Sequence, residues 1–150
     1  MIANSSPENM GGLSAISIAL VSDITDILCF KGSCKVSYAS GKSALSVYFT
    51  PNSAKITTPA LNGGVFSLQC SFRSPKDRPA VLTAILPYIN QKVIVIATDS
   101  NGEVKVYGSL KCPLVLNYAP TDKGLVTDYN GVAFEASGTD FAPGRFLVAP

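Results

Sequence analysis

A chain of 150 residues, 47% of them apolar, is long enough to bury a core without a metal or a disulfide to hold it together. Its 12 basic and 10 acidic residues leave a net charge of +2, which gives no general attraction to nucleic acid or to a membrane surface. Histidine is absent, which excludes every Ser-His and Cys-His nucleophile pair and removes the commonest metal ligand. So few charges beside so much apolar content point to an outer surface that meets other protein, or else to a well-packed monomer rich in Ser, Thr and Gly.

Met1 to Gly12 reads as a loose polar lead. In Leu13 to Val21, Ile16, Ile18 and Leu20 alternate with small residues, which predicts a first strand. No Lys or Arg precedes this stretch and Glu8 does, so it does not read as a signal-peptide core, and the chain is expected to be unsecreted in this form. Ser22 to Ile27 reads as a turn or short connector, and Cys29-Phe30 and Cys34 to Tyr38 flank a turn at Lys31-Gly32-Ser33. Leu45, Val47 and Phe49 then alternate with Ser46, Tyr48 and Thr50, and Lys55-Ile56-Thr57 forms a weaker strand. Residues 50–64 hold two prolines, two asparagines and two glycines, which predicts a projecting loop or arm. From Val65 to Arg73 the alternation is strict, with Phe66, Leu68, Cys70 and Phe72 facing the core.

One helix is predicted after Ser74, capped by Asp77, with Pro79 in its first turn and an apolar stripe of Leu82, Ile85, Leu86 and Ile89. Pro87 should shorten or kink it at Leu86. The strongest local signal is Asn101-Gly102 between Val93–Asp99 and Val104–Leu110. A two-residue type I′ loop there would pair Ala97 with Val106 and Ile96 with Tyr107. The first arm, β-branched and apolar on both faces, reads as a strand covered on both sides. Pro113 to Tyr118 is a short strand, Ala119 to Asp128 a loop, and Asp128 to Gly131 a turn. Val132, Phe134 and Ala136 then alternate with Ala133, Glu135 and Ser137, and Thr139 to Pro150 is a tail whose apolar bulk should dock. The sum is one domain over 1–150 with eight or nine strands. The expected class is mainly β: a two-layer antiparallel β-sandwich or partial barrel with one short flanking α-helix.

Chemistry is hard to find in this sequence. Cys29 and Cys34 stand close together, but Cys70 and Cys112 stand alone in apolar strands, so buried free thiols are expected rather than a zinc site or disulfides. Gly41-Lys42-Ser43 lacks the earlier glycine of a phosphate-binding loop, because Val36 occupies that position. Asp99 to Glu103 lacks the later ligands of a calcium loop. Asp23 and Asp26 read as solvated turn carboxylates. No apolar run reaches the length of a membrane span. No catalytic, cofactor or metal residues are nominated, and no enzyme is expected.

The helix ending in Leu86-Pro87-Tyr88-Ile89 is followed by Val93-Ile94-Val95-Ile96-Ala97-Thr98-Asp99-Ser100-Asn101-Gly102 and then by Tyr107-Gly108-Ser109. Next comes Thr127-Asp128-Tyr129-Asn130-Gly131-Val132-Ala133-Phe134-Glu135-Ala136-Ser137-Gly138, and the start carries Gly11-Gly12-Leu13 and Asp23-Ile24. This order of features resembles a group of small virion structural proteins of tailed bacteriophages, especially those infecting Bacteroidetes-type bacteria. The likeness covers about two thirds of the chain and leaves Cys29 to Gly64 unaligned.

The resemblance implies a tail-tube-like sandwich assembling head-to-tail into a ring, in the tail tube or in the neck or head–tail connector. Its partners would be copies of itself, neighbouring virion proteins, and DNA passing through the channel without sequence readout, with no membrane. It would reside in the virion after synthesis in the bacterial host cytoplasm. The donating surfaces would be the Met1–Gly12 lead, the Thr50–Gly64 arm and the Thr139–Pro150 tail. Their interface candidates are Leu13, Pro51, Asn52, Ile56, Leu61, Phe141, Phe146, Leu147 and Val148. The alternative is a monomeric or dimeric carbohydrate-binding or adhesion sandwich, with Tyr38, Tyr48 and Tyr107 as its outward aromatics.

Overall fold

The computed structural model describes residues 12–30, 33–50, 53–74, 79–119, 132–142 and 144–147. In chain order these form β1 (Leu13–Leu20), β2 (Ile24–Phe30), β3 (Ser33–Tyr38), β4 (Leu45–Val47), β5 (Lys55–Thr57) and β6 (Phe66–Ser74). Then come α1 (Pro79–Ile85), β7 (Lys92–Asp99), β8 (Val104–Tyr107), β9 (Leu114–Tyr118), β10 (Val132–Asp140) and β11 (Arg145–Leu147). The protein is mainly β, as its alternating segments predict, with a single short α-helix among the described residues.

All eleven strands join one sheet, and β7 is where it divides. One edge of β7 pairs antiparallel with β1 from Leu20↔Val93 to Leu13↔Asp99. Its other edge is shared, by β8 opposite Val95–Thr98 and by β9 opposite Lys92 and Val93. From there one wing runs β8-β11-β3-β2 and the other β9-β10-β6-β5. The second wing folds back over the first layer. Leu114 and Leu116 of β9, Phe134 and Ala136 of β10, and Leu68, Cys70 and Phe72 of β6 thereby pack on Ile16, Ile18, Val93 and Val95. This is the two-layer solution that strands with one apolar face require. Burying each large side chain in it is worth about 1.5–3 kcal/mol.

On the opposite face of β1 and β7, a smaller cluster of Ala19, Ile24, Ile94 and Val106 is covered by Ile27 and Val36 of the β2–β3 hairpin. Covered on both sides, β7 keeps Val93, Ile94 and Val95 at 0% exposure, which is why it carries no polar alternation.

The β7–β8 hairpin is one residue out of the expected register. Ile96 pairs with Val106 and Val95 with Tyr107, not Ala97 with Val106. The loop has three residues: Gly102 N–H donates to Asp99 C=O, and Asp99 N–H donates to Glu103 C=O. Gly102 takes φ +88°, while Asn101 does not take a positive φ, as a type I′ turn would demand. This is a type I turn closed by a glycine bulge. The Asp99 carboxylate decides it, because Oδ1 accepts from the N–H groups of both Asn101 and Glu103 at 2.9 Å.

Pro87 acts as expected. The α-helix stops at Ile85 and continues as a 3-10 turn, Leu86–Tyr88, and the apolar stripe breaks there: Ile85 is buried and Leu86 exposed. Asp77, the expected cap, lies outside the described residues, as do residues 1–11 of the lead and the turn 128–131. Ser22 to Ile27 is not merely a connector: only Val21–Asp23 is a 3-10 turn, and β2 begins at Ile24. Of residues 50–64, expected to project, Thr50, β5 and Pro59 lie along β6. Thr50 N–H donates to Arg73 C=O, β5 pairs Ile56 with Cys70, and Ser67 N–H donates to Pro59 C=O. The tip, residues 59–64, is exposed throughout.

The tail docks through β11, which runs parallel to β3 and antiparallel to β8 and so splices the β2–β3 hairpin into the sheet. The turn that delivers it is held by a bidentate ion pair, Arg145 Nη1 to Asp140 Oδ2 at 2.7 Å and Nη2 to Oδ1 at 3.3 Å. The expectation of four free thiols is corrected as well. Cys29 and Cys34 face each other across β2 and β3 and are joined by a disulfide, while Cys70 and Cys112 are free. Local hairpin register brings together two cysteines that spacing alone left unassigned.

Candidate assembly surface

The described residues hold no group of three or more His, Cys, Asp or Glu side chains able to grip a metal. Asp23 lies 4.0 Å from the Lys42 ammonium, and Asp26 stands exposed on β2 opposite Ser37. Burial pushes the Cys70 thiol up to about 12, so it is protonated and inert rather than nucleophilic. A cleft of about 370 Å³ opens beside β4, between Leu13–Ile16 and Ser46–Phe49, and no charged side chain lines it. No helix among the described residues is long and apolar enough to cross a membrane.

The nominated interface residues separate into three groups. Leu13 and Ile56 are half-buried against the main core, and Leu147 packs in part on the smaller one. Leu61, Phe141 and Phe146 are exposed, at 49%, 70% and 46%. Pro51, Asn52 and Val148 lie outside the described residues. Of the three tyrosines expected to face out, Tyr107 packs on the main core and Tyr38 on the smaller one, and burial raises both phenols above their ordinary value. For Tyr107 the Asp99 carboxylate adds to that rise. Only Tyr48 is open to solvent.

The surface that sequence reasoning missed is β2. Among the described residues it pairs with β3 alone and ends the sheet. Leu28 is 63% exposed and Phe30 75%. Two other strands also end their pairing paths, β4 and β5, but each is three residues long and β5 begins with Lys55. Short length and a lysine are common ways of blunting an edge. The seven residues of β2 contain no Pro or Lys and a single charge, Asp26, with one irregularity near the start. Leu28 and Phe30 share a face by the two-residue period of the strand. Phe30 is opposite Ser33, Ser33 opposite Phe146, and Phe146 opposite Lys105, whose ammonium sits 5.0 Å from the Phe146 ring centroid. Phe30 and Phe146 therefore lie in one cross-strand row, with Ser33 between them.

Its sequence signal was faint. Ile24-Thr25-Asp26-Ile27-Leu28-Cys29-Phe30 lacks clean alternation, because one face of it packs on the small cluster while the other carries Leu28 and Phe30 into solvent. Set against protein-family models, curated proteins and solved structures, the chain matches none of them.

Proposed function

We propose that this chain is a non-enzymatic structural subunit of a tailed-phage virion, assembling head-to-tail into a ring of the tail tube or of the neck or head–tail connector. The observation that carries the assembly half of this reading is the open edge of β2 with Leu28 and Phe30 exposed beside it. An edge strand that also carries exposed apolar side chains offers a neighbour main-chain pairing and apolar area together. The edges differ in length and charge, which suits a heterologous contact in which one patch meets a different patch on the next subunit. The virion half rests on the resemblance of the helix, the central hairpin and the stretch from Thr127 to Gly138. In such a ring the partners are copies of this chain and adjoining virion proteins, with DNA in the channel held by no sequence-reading contact.

A carbohydrate-binding or adhesion module has less support, since such a face needs clustered exposed aromatics and Tyr48 stands without Tyr38 or Tyr107. Light scattering and negative-stain imaging of the purified chain test the proposal. Rings are expected, and Leu28→Asp with Phe30→Ser should return them to monomers of unchanged core stability. A wild-type chain that stays monomeric at high concentration and is absent from any particle sinks the reading.

A further inference from the structure

The anchoring of β2 is uneven along its length. Its start is fixed by packing: Ile24 is 7% exposed and Ile27 lies on the smaller core. Its end, Leu28 to Phe30, is exposed, and the ladder to β3 and the Cys29–Cys34 bridge both hold it. Cys34 itself is 1% exposed and sits at the splice, where its backbone pairs with Leu147 of β11. The disulfide thus ties the unburied end of an edge strand to a buried residue in the body of the sheet. It encloses only residues 30–33, so it restricts the unfolded chain little and its effect on global stability is small. Its effect is local.

We infer that Cys29 and Cys34 form a reversible thiol–disulfide site that locks the exposed end of β2, and that low-molecular-weight thiols reach it through Cys29 alone. Cys29 is an exposed residue and Cys34 is 1% exposed, so an incoming thiolate meets the bridge from the Cys29 side. In the first step a thiolate RS⁻ bonds to Cys29 Sγ, the S–S bond breaks, and Cys34 leaves as a thiolate that takes up a proton. In the second step another RS⁻ attacks the R-bearing sulfur, releasing the Cys29 thiolate and RSSR. Two RSH are oxidised and the protein disulfide is reduced to two thiols; oxidised glutathione or a similar small disulfide reverses both steps. Because hairpin register already sets the two residues opposite, closing the bridge needs no rearrangement of the sheet. The pair is open in a reducing compartment and closed in an oxidising one.

This inference goes beyond the proposed function and does not depend on it, so it is tested on the full chain before any assembly. Cys34→Ser and Cys29→Ser variants are treated with oxidised glutathione and mapped by peptide mass spectrometry, with Cys70 and Cys112 read as separate peptides. Cys29 should take up glutathione at least roughly tenfold faster than Cys34. Hydrogen exchange is then compared between oxidised and reduced wild-type chain. Amides of Leu28 to Phe30 should exchange on the order of tenfold faster after reduction, while those of Val93 to Ala97 stay unchanged. The Cys29→Ala/Cys34→Ala chain, which cannot close the bridge, should exchange like the reduced form. Equal labelling of the two cysteines overturns the entry route, and identical exchange in the two redox states overturns the lock.

Discussion

Replacing Arg145 with methionine removes the guanidinium but keeps most of its apolar stem. The Asp140 side chain is 2% exposed, so its carboxylate loses its two guanidinium contacts, at 2.7 and 3.3 Å, and keeps the Phe141 N–H at 2.7 Å. Removing one partner of a buried pair leaves an uncompensated charge, a loss of about 3–5 kcal/mol. The higher exposure of Arg145, 18%, favours the lower end of that range. For a chain of this length that is a fall in Tm of roughly 10 °C. Asp140→Asn/Arg145→Met carries no buried charge and should recover at least half of the loss, a coupling that a double-mutant cycle measures directly. Urea unfolding at pH 7 supplies the four free energies. The pair also positions β11, which joins β3 to β8, so Arg145→Met should loosen hydrogen-exchange protection in the β2–β3 hairpin before it does so in β10. A single mutant within about 1 kcal/mol of wild type would refute the reasoning, since that is the size of an exposed pair.

Cys70 gives the chain an alkaline limit. Its folded thiol keeps its proton to about 12 while the unfolded thiol ionises near 9.0. Stability is therefore full below pH 9 and falls as pH rises toward 12, by about 4 kcal/mol if Cys70 acts alone. Cys70→Ala should flatten the difference between unfolding free energies measured at pH 8 and pH 11, whatever its own cavity cost. A Cβ on Gly138 would lie 2.8 Å from Leu114 Cδ2 and 2.9 Å from Pro113 O, and since a backbone carbonyl cannot yield cheaply, Gly138→Ala should cost about 1–3 kcal/mol by denaturant unfolding. In the β7–β8 loop, Gly102→Ala should cost about 1–2 kcal/mol because of its φ of +88°, and Asn101→Ala much less. Equal costs at the two positions would restore the two-residue type I′ turn.

Strand alternation and turn residues made most of the fold legible in the sequence. Phe66 to Phe72, Val132 to Ala136 and the doubly apolar arm Val93 to Thr98 each state in their own side chains which faces are covered. Pro87 likewise states where the helix ends. These are local matters, fixed by the period of the backbone and by what a ring or a missing Cβ permits. The hairpin register slipped because Asn101-Gly102 fits two turns, and the Asp99 carboxylate chose between them. The candidate surface was less legible. Among the interface candidates, Leu61, Phe141 and Phe146 are exposed while Leu13, Ile56 and Leu147 pack in part on the cores, since an apolar residue does not announce whether its partner is its own chain or another.

What the sequence determined by itself was the β class, the apolar faces of strands such as β6 and β7, and the lack of histidine-based chemistry. What only the tertiary structure decided was which strand ends the sheet, which cysteines meet, and that a three-residue strand near the C-terminus splices a hairpin to the rest. Alternation is a property of neighbours along the chain. Edge position, a bridge between opposed residues and a parallel pairing over more than a hundred residues are properties of the closed sheet, and no local pattern encodes them.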